Sequence, residues 1–175
     1  FLDKQITTLK HDLHEEQQKS ERLTQVLDSI QRTQAVIEFE PNGTIIQANE
    51  NFLQTFGYSL DEVIGRHHRM FVDNVYAKSA EYKQFWSDLQ RGQFKIDEFR
   101  RLGRGDRVIW IQATYTPIFD EAGKVARVIK FANDVTQIKK SEQEIRDRSQ
   151  AVIEFTPNGT ILDATPMFLS TAGYS

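Results

Sequence analysis

TQAVIEFEPNGTIIQANENFLQTFGYS, residues 33–59, returns 116 positions later as SQAVIEFTPNGTILDATPMFLSTAGYS, residues 149–175, with 18 of 27 positions identical. Such a repeat means tandem copies of one structural unit, a whole copy followed by the opening of the next. Within the first copy, Val36, Ile37 and Phe39 precede Pro41-Asn42-Gly43, where glycine takes the positive φ that closes a hairpin, and Thr44-Ile45-Ile46 resumes extended chain. Asn49 caps a short helix carrying Phe52, Leu53 and Phe56, and Gly57 stops it. Ser59-Leu60-Asp61-Glu62 is a capping box for a second helix, which ends at Gly65.

Downstream, residues 66–71 (RHHRMF) read as a short irregular or helical piece, and Tyr82, Phe85, Trp86 and Leu89 share one face of a clearer helix ended by Gly92. Three strand-like stretches follow, at residues 94–102, 108–119 and 124–131, separated by Gly-containing turns. The middle stretch has apolar residues of both parities, Ile109, Ile111 and Tyr115 against Val108 and Trp110. A sheet covered on both faces is expected, by short helices on one side and by a flanking helix or second subunit on the other. Upstream, Leu2, Ile6, Leu9, Leu13, Glu16, Ser20, Leu23, Leu27 and Ile30 keep a 4-3 spacing with no Pro or Gly, a coiled-coil seam weakened at Glu16 and Ser20. A polar helix over residues 136–148 joins the copies.

The divisions expected are therefore residues 1–34, an N-terminal coiled-coil helix; 35–136, a complete α+β domain; 137–149, a helical linker; and 150–175, a truncated second copy. Val152, Ile153, Phe155, Ile161, Leu162, Phe168 and Leu169 of that copy are expected to borrow a partner surface or to be poorly ordered. Phe1 opens the chain without methionine or a leader, as expected of an excerpt from a longer protein.

Composition narrows the function classes. The 175 residues are 39% hydrophobic and 27% charged, with mean hydropathy -0.53, which suits a buried core and excludes an apolar membrane span. With 22 basic and 25 acidic residues, no general field draws in nucleic acid or an anionic membrane. Cysteine is absent, which removes disulfides, thiolate metal sites, cysteine nucleophiles and flavin–cysteine photochemistry, and suits a cytoplasmic location. No nucleophile–base pair, carboxylate pair or metal-ligand spacing is apparent, so the chain does not read as an enzyme.

Pro41-Asn42-Gly43-Thr44, Asn51-Phe52 through Gly57-Tyr58-Ser59, Glu62 through Gly65, Pro117-Ile118 and Asp134-Val135-Thr136, in that order and at those distances, resemble the PAS family of sensory domains. The resemblance covers residues 35–136 and again 151–175, and implies a five-stranded antiparallel sheet cupping a pocket lined by short helices. Residues 65–71, 86–92 and 110–117 resemble more narrowly the tandem repeats of bacterial energy-taxis and biofilm-dispersal chemoreceptors, methyl-accepting proteins. That resemblance implies a cytoplasmic signal-input domain of a chemotaxis-type transducer, sensing redox or oxygen through a pocket-bound cofactor, with FAD the first choice. Trp86 matches a tryptophan of the flavin site, His67, His68 and Arg69 match a segment of it, and Arg101 stands where the aerotaxis receptors place asparagine. Haem b is the alternative cofactor, with His67 or His68 as the axial ligand. Trp86 and Trp110 also suit core filling, and His67 and His68 also suit an exposed short helix. Asp134 and Thr136 are expected to relay the signal into the linker helix and the downstream domains of the same chain. The rival reading is a ligand-free interaction module. Under either, the expected partner is a second copy, meeting this one through the N-terminal helix and the outer sheet face.

Overall fold

The first helix, α1 (Leu2–Thr33), contains no residue that breaks a helix, and its apolar seam faces solvent, with Leu9 67% and Leu13 61% exposed. In the computed structural model, residues 2–149 and 153–173 are described; readings that touch Phe1, Gln150, Ala151, Val152, Tyr174 and Ser175 lie outside them. The end of α1 is tied to the domain by two asparagines. Asn49 Nδ2 donates to the carbonyls of Gln31 (3.0 Å) and Gln34 (2.9 Å), and Asn51 Nδ2 to that of Gln31 (2.9 Å).

Strands β1 (Ala35–Phe39) and β2 (Ile45–Ala48) form the expected hairpin. Gly43 sits at φ +93°, and a Cβ there would lie 2.9 Å from both His67 and Trp86, so the turn and the close approach each call for glycine. Asn49 caps α2 (Glu50–Phe56), its Oδ1 accepting from the Phe52 amide, and Glu62 accepts from the Ser59 amide and hydroxyl at the start of α3 (Leu60–Val63). The His-rich piece is a 3-10 turn over His68–Phe71, followed by α4 (Asn74–Lys78) and α5 (Ala80–Gln90). Strands β3 (Lys95–Leu102), β4 (Val108–Phe119) and β5 (Val125–Asp134) complete a five-stranded antiparallel sheet in the order β2-β1-β5-β4-β3. β5 continues three residues past the expected end, as β4 pairs with it as far as Ile111–Asp134.

On β4, Ile109, Ile111, Ala113 and Tyr115 are buried, Trp110 is half-buried and Val108 is exposed, the alternation the sequence shows. At one corner of the outer face, the linker helix α6 (Thr136–Ser149) places Lys139 2.6 Å from Glu98 and over the Trp110 ring. The second copy repeats the first on a small scale. Strands β6 (Ile153–Phe155) and β7 (Ile161–Ala164) pair with a register irregularity between Glu154 and Phe155, as β1 has between Glu38 and Phe39, and α7 (Pro166–Ala172) follows. Phe155, Ile161 and Leu162 of this copy stand more than half exposed, at 55%, 58% and 64%.

Candidate functional site

Period-two alternation carries two polar side chains into the cup along with the apolar ones. On β4 it is Tyr115; on β5 it is Lys130, inward between Val128 and Ala132. Arg101 comes from β3, opposite Ile109, and His68 from the 3-10 turn, where its amide donates to the Gly43 carbonyl at 2.9 Å. Tyr82 and Trp86, one helical turn apart, come from α5.

These groups form one hydrogen-bonded chain. Arg101 Nη2 donates to the Tyr115 hydroxyl (3.3 Å), which lies 3.0 Å from His68 Nε2, and His68 Nδ1 lies 2.9 Å from the Tyr82 hydroxyl. One polarity suits every member: Tyr115, accepting from Arg101, donates to Nε2, and the Nδ1 hydrogen goes to Tyr82. That requires a neutral imidazole. Burial, then the positive charges of Arg101 and Lys130, hold His68 well below its ordinary value near 6.5. Burial likewise raises the Tyr115 phenol and pushes Tyr82 up to about 12, so both remain protonated, Tyr115 as a donor to His68 and Tyr82 as an acceptor from it.

Three donors in this core have no partner: Trp86 Nε1, Arg101 Nε and Lys130 Nζ. The Tyr82 hydroxyl beside Trp86 is engaged with His68, and the indole N–H is near enough to oppose the rise of the Tyr82 phenol while falling short of hydrogen-bond geometry to it. Lys130 Nζ meets only ring faces, 5.1 Å from the centroid of Tyr115, 5.4 Å from Phe56 and 5.5 Å from Phe52. Burial, reinforced by Arg101, holds its ammonium well below the usual lysine range. Among the described residues Asp88 is the one buried acid, and its carboxylate faces Gln84, Arg91 and Lys95.

The structure thus brings together Trp86, His68 and Arg101, with His67 beside Trp86 at 5.9 Å between ring centroids. Arg69 stands exposed, and its charge acts on His67 and Tyr82 from outside the core. Lys130 carried no sequence signal beyond its inward parity on β5, and Tyr115 read there only as an apolar position. Where the resemblance implies a hollow, the centre holds the protein's own rings: Phe39 packs against His68 at 5.4 Å, Trp86 at 5.5 Å and Tyr115 at 6.5 Å. A cleft of about 320 Å³ beside β3 has Phe99 and Arg101 in its wall and Tyr76 across from them.

Haem through either histidine does not fit this arrangement. Both nitrogens of His68 are engaged with tyrosines, and His67 has Nε2 on the Asn42 carbonyl (2.8 Å) and Nδ1 accepting from the Arg69 amide (3.0 Å), so no lone pair faces the core. A planar, acceptor-rich group such as flavin fits the donor set better, because all three orphaned atoms donate. Its entry requires the rings around Phe39 and Trp86 to move apart.

Comparison with known proteins places the fold. Residues 29–140 match the family model described as the PAS fold. The chain is 40% identical over 152 residues to the biofilm dispersion protein BdlA of Pseudomonas aeruginosa, covering 83% of this chain and 36% of that protein. It is 24% identical over 128 residues to the oxygen sensor protein DosP of Escherichia coli, covering 73% of this chain and 16% of that protein. The chain thus spans well under two thirds of the length of these relatives. Among solved structures, the PAS domain of a Colwellia psychrerythraea protein superposes with a TM-score of 0.57 at 21% identity, over 66% of this chain and 98% of that one. With its sheet order, its helices and its family match over most of the sequence in agreement, this chain belongs to the PAS fold family.

Proposed function

We propose that this chain is a signal-input segment of a chemotaxis-type transducer, in which the core of the PAS domain takes a planar redox cofactor, flavin first, and reports its state to α6. A flavin supplies reversible electron acceptance when bound. The protein's part is to hold it: Trp86, Arg101 and Lys130 would donate to its acceptor edge, and the neutral His68 between two tyrosines would keep those donors in place. The observation that carries this reading is the set of three orphaned donors in a core where Asp88 is the one buried acid described. The names of two relatives, an oxygen sensor and a biofilm dispersion protein, lend it support.

The route outward is short. Lys130 lies four residues before Asp134, whose Oδ1 accepts from the Thr136 amide at 2.8 Å at the start of α6. Thr136 Oγ1 accepts from the Trp110 amide at 3.0 Å, so the helix begins on a clasp between β4 and β5. A shift of either strand therefore moves the first turn of α6, and two nearly balanced states suffice for a signal. Dimerisation belongs to the same proposal, through the exposed seam of α1.

The packed centre and the exposed seam favour a second reading, a ligand-free dimerisation module. The absorption spectrum of the purified protein separates the two. The paired near-ultraviolet and blue bands of oxidised flavin uphold the redox sensor, a Soret band overturns flavin in favour of haem, and a colourless protein that gains no colour on incubation with FAD upholds the module.

A further inference from the structure

Arg101 is 3% exposed and Lys130 fully buried, and both flank Tyr115: Arg101 donates to its hydroxyl and Lys130 lies over its ring. Among the described residues no carboxylate is hydrogen-bonded or ion-paired to either, although Asp73, Glu81, Asp97 and Glu98 line the same cleft as Arg101. Asp88, the one buried acid among the described residues, is engaged elsewhere, and both His68 nitrogens are engaged with tyrosines. A guanidinium does not lose its proton, so Arg101 keeps its charge in this core. A buried charge without a counterion is costly, and a lysine beside it adds a second group that gains from an anion. Carbonyl oxygen meets part of this need, since Arg101 Nη1 donates to the Arg100 carbonyl at 2.9 Å, but Arg101 Nε and Lys130 Nζ remain without acceptors.

We infer that the core of this domain binds a ligand carrying a carboxylate or an equivalent anionic edge, held by Lys130 Nζ and Arg101 and flanked by the aromatic rings of Phe52, Phe56 and Tyr115. The inference rests on the reading that the core takes a ligand, but not on that ligand being a flavin. The cleft beside β3, of about 320 Å³, reaches Arg101 in its wall, and a ligand entering there would have to part the rings around Tyr115 to meet Lys130. That cleft is also lined by Asp73, Glu81, Asp97, Glu98 and Arg100, with Arg100 3.7 Å from Asp73 and Lys139 2.6 Å from Glu98, so its acids are partly answered and the aromatic rings around Lys130 and Tyr115 decide which anions gain inside. The site therefore selects a ligand that has apolar ring surface to bury as well as negative charge to place.

The test uses the purified chain with Lys130→Met and Arg101→Met variants, each of which replaces a buried cation with an apolar side chain of similar length. If the protein is colourless, sodium benzoate should raise its melting temperature in a saturable manner, while benzamide, of the same shape but neutral, and sodium chloride at equal ionic strength should not. Each variant should weaken the benzoate response by about tenfold or more in apparent affinity. If the protein is purified with a chromophore, its retention through dialysis is the readout, and the same loss is expected in each variant. Equal stabilisation by benzoate and benzamide, an equal effect of chloride, no benzoate response at all, or variants that hold benzoate or chromophore as well as the parent would overturn the inference. Should a variant not fold, Lys130→Gln, which keeps a donor without the charge, provides the comparison: full retention of the response in it overturns the role of charge. Colour decides the flavin reading and charge selectivity decides this one, so the two can fail separately.

Discussion

Lys130 sits in the centre of an antiparallel sheet with no hydrogen-bond partner, and its stability effect has a definite sign. Its pKa is depressed in the folded protein, so the unfolded chain binds the proton more tightly, and stability rises as pH climbs from the folded value toward 10.5. Lys130→Met should therefore stabilise the ligand-free protein at neutral pH, by about 1–4 kcal/mol in urea unfolding, since apolar replacement of a buried ion is neutral to favourable. The advantage should shrink as the measurement moves toward pH 10.5. A variant less stable than the parent at neutral pH would mean that the ring faces hold the ammonium better than the burial suggests. His68 works in a different window. Its depressed value means that its contribution is complete above about 6.5 and is lost as pH falls below that, so the parent should lose stability on mild acidification. His68→Gln should flatten this slope without abolishing it, because His67 is also held low by burial and by Arg69. The exposed carboxylate of Glu62, drawn down to about 2 by the Ser59 amide and Arg104, acts only at lower pH and does not confuse the measurement.

Elements in this chain are joined by single polar residues at their ends. Asn49 closes three junctions at once: its Oδ1 accepts from the amides of Phe52 and Val36, and its Nδ2 donates to the last turn of α1. The second copy has Thr165 at the matching position, which caps α7 through the Phe168 amide. Asp134 does the corresponding work at the other end of the domain. Asp134→Ala should leave the melting transition cooperative and cost about 0.5–2 kcal/mol, the range for loss of an N-terminal cap. Its larger effect should be local, as faster hydrogen exchange in the first turn of α6 and loss of ligand-dependent output when the variant is placed in a full-length receptor. Unchanged exchange in α6 together with normal output would remove Asp134 from the relay.

At the scale of the molecule, a 32-residue helix with its apolar seam in solvent is the feature that most needs a partner. Pairing through that seam predicts that sedimentation of the chain is concentration-dependent and that replacing Leu13 and Leu27 by lysine shifts it to monomer. The same change should reduce helical circular dichroism and leave the unfolding of the β-sheet core near its parent midpoint. Retention of the dimer would move the interface to the outer sheet face, where Trp110 and Lys139 meet. Among the described residues no helix is long and apolar enough to cross a membrane.

Much of this was legible without coordinates. The hairpin at Pro41-Asn42-Gly43, the caps at Asn49 and Ser59 and the strands after Gly92 are local events, set by residues a few positions apart, and the repeat of residues 33–59 announced them twice. Trp86 and His68 were placed in the candidate site by resemblance, and the structure brings them into the same core. Lys130 and the aromatic filling of the cup were not legible, and neither was the exposure of Arg69. A lysine or arginine in a strand reads as an outward residue unless the elements on either side of it are known, and for Lys130 those elements include Phe52 and His68, 78 and 62 positions away in the chain. Local preference settled which segments are helix, turn and strand, because backbone conformation responds to near neighbours. Only the assembled sheet and helices decided which charges lost their water, because desolvation depends on everything packed around a group and not on its place in the chain.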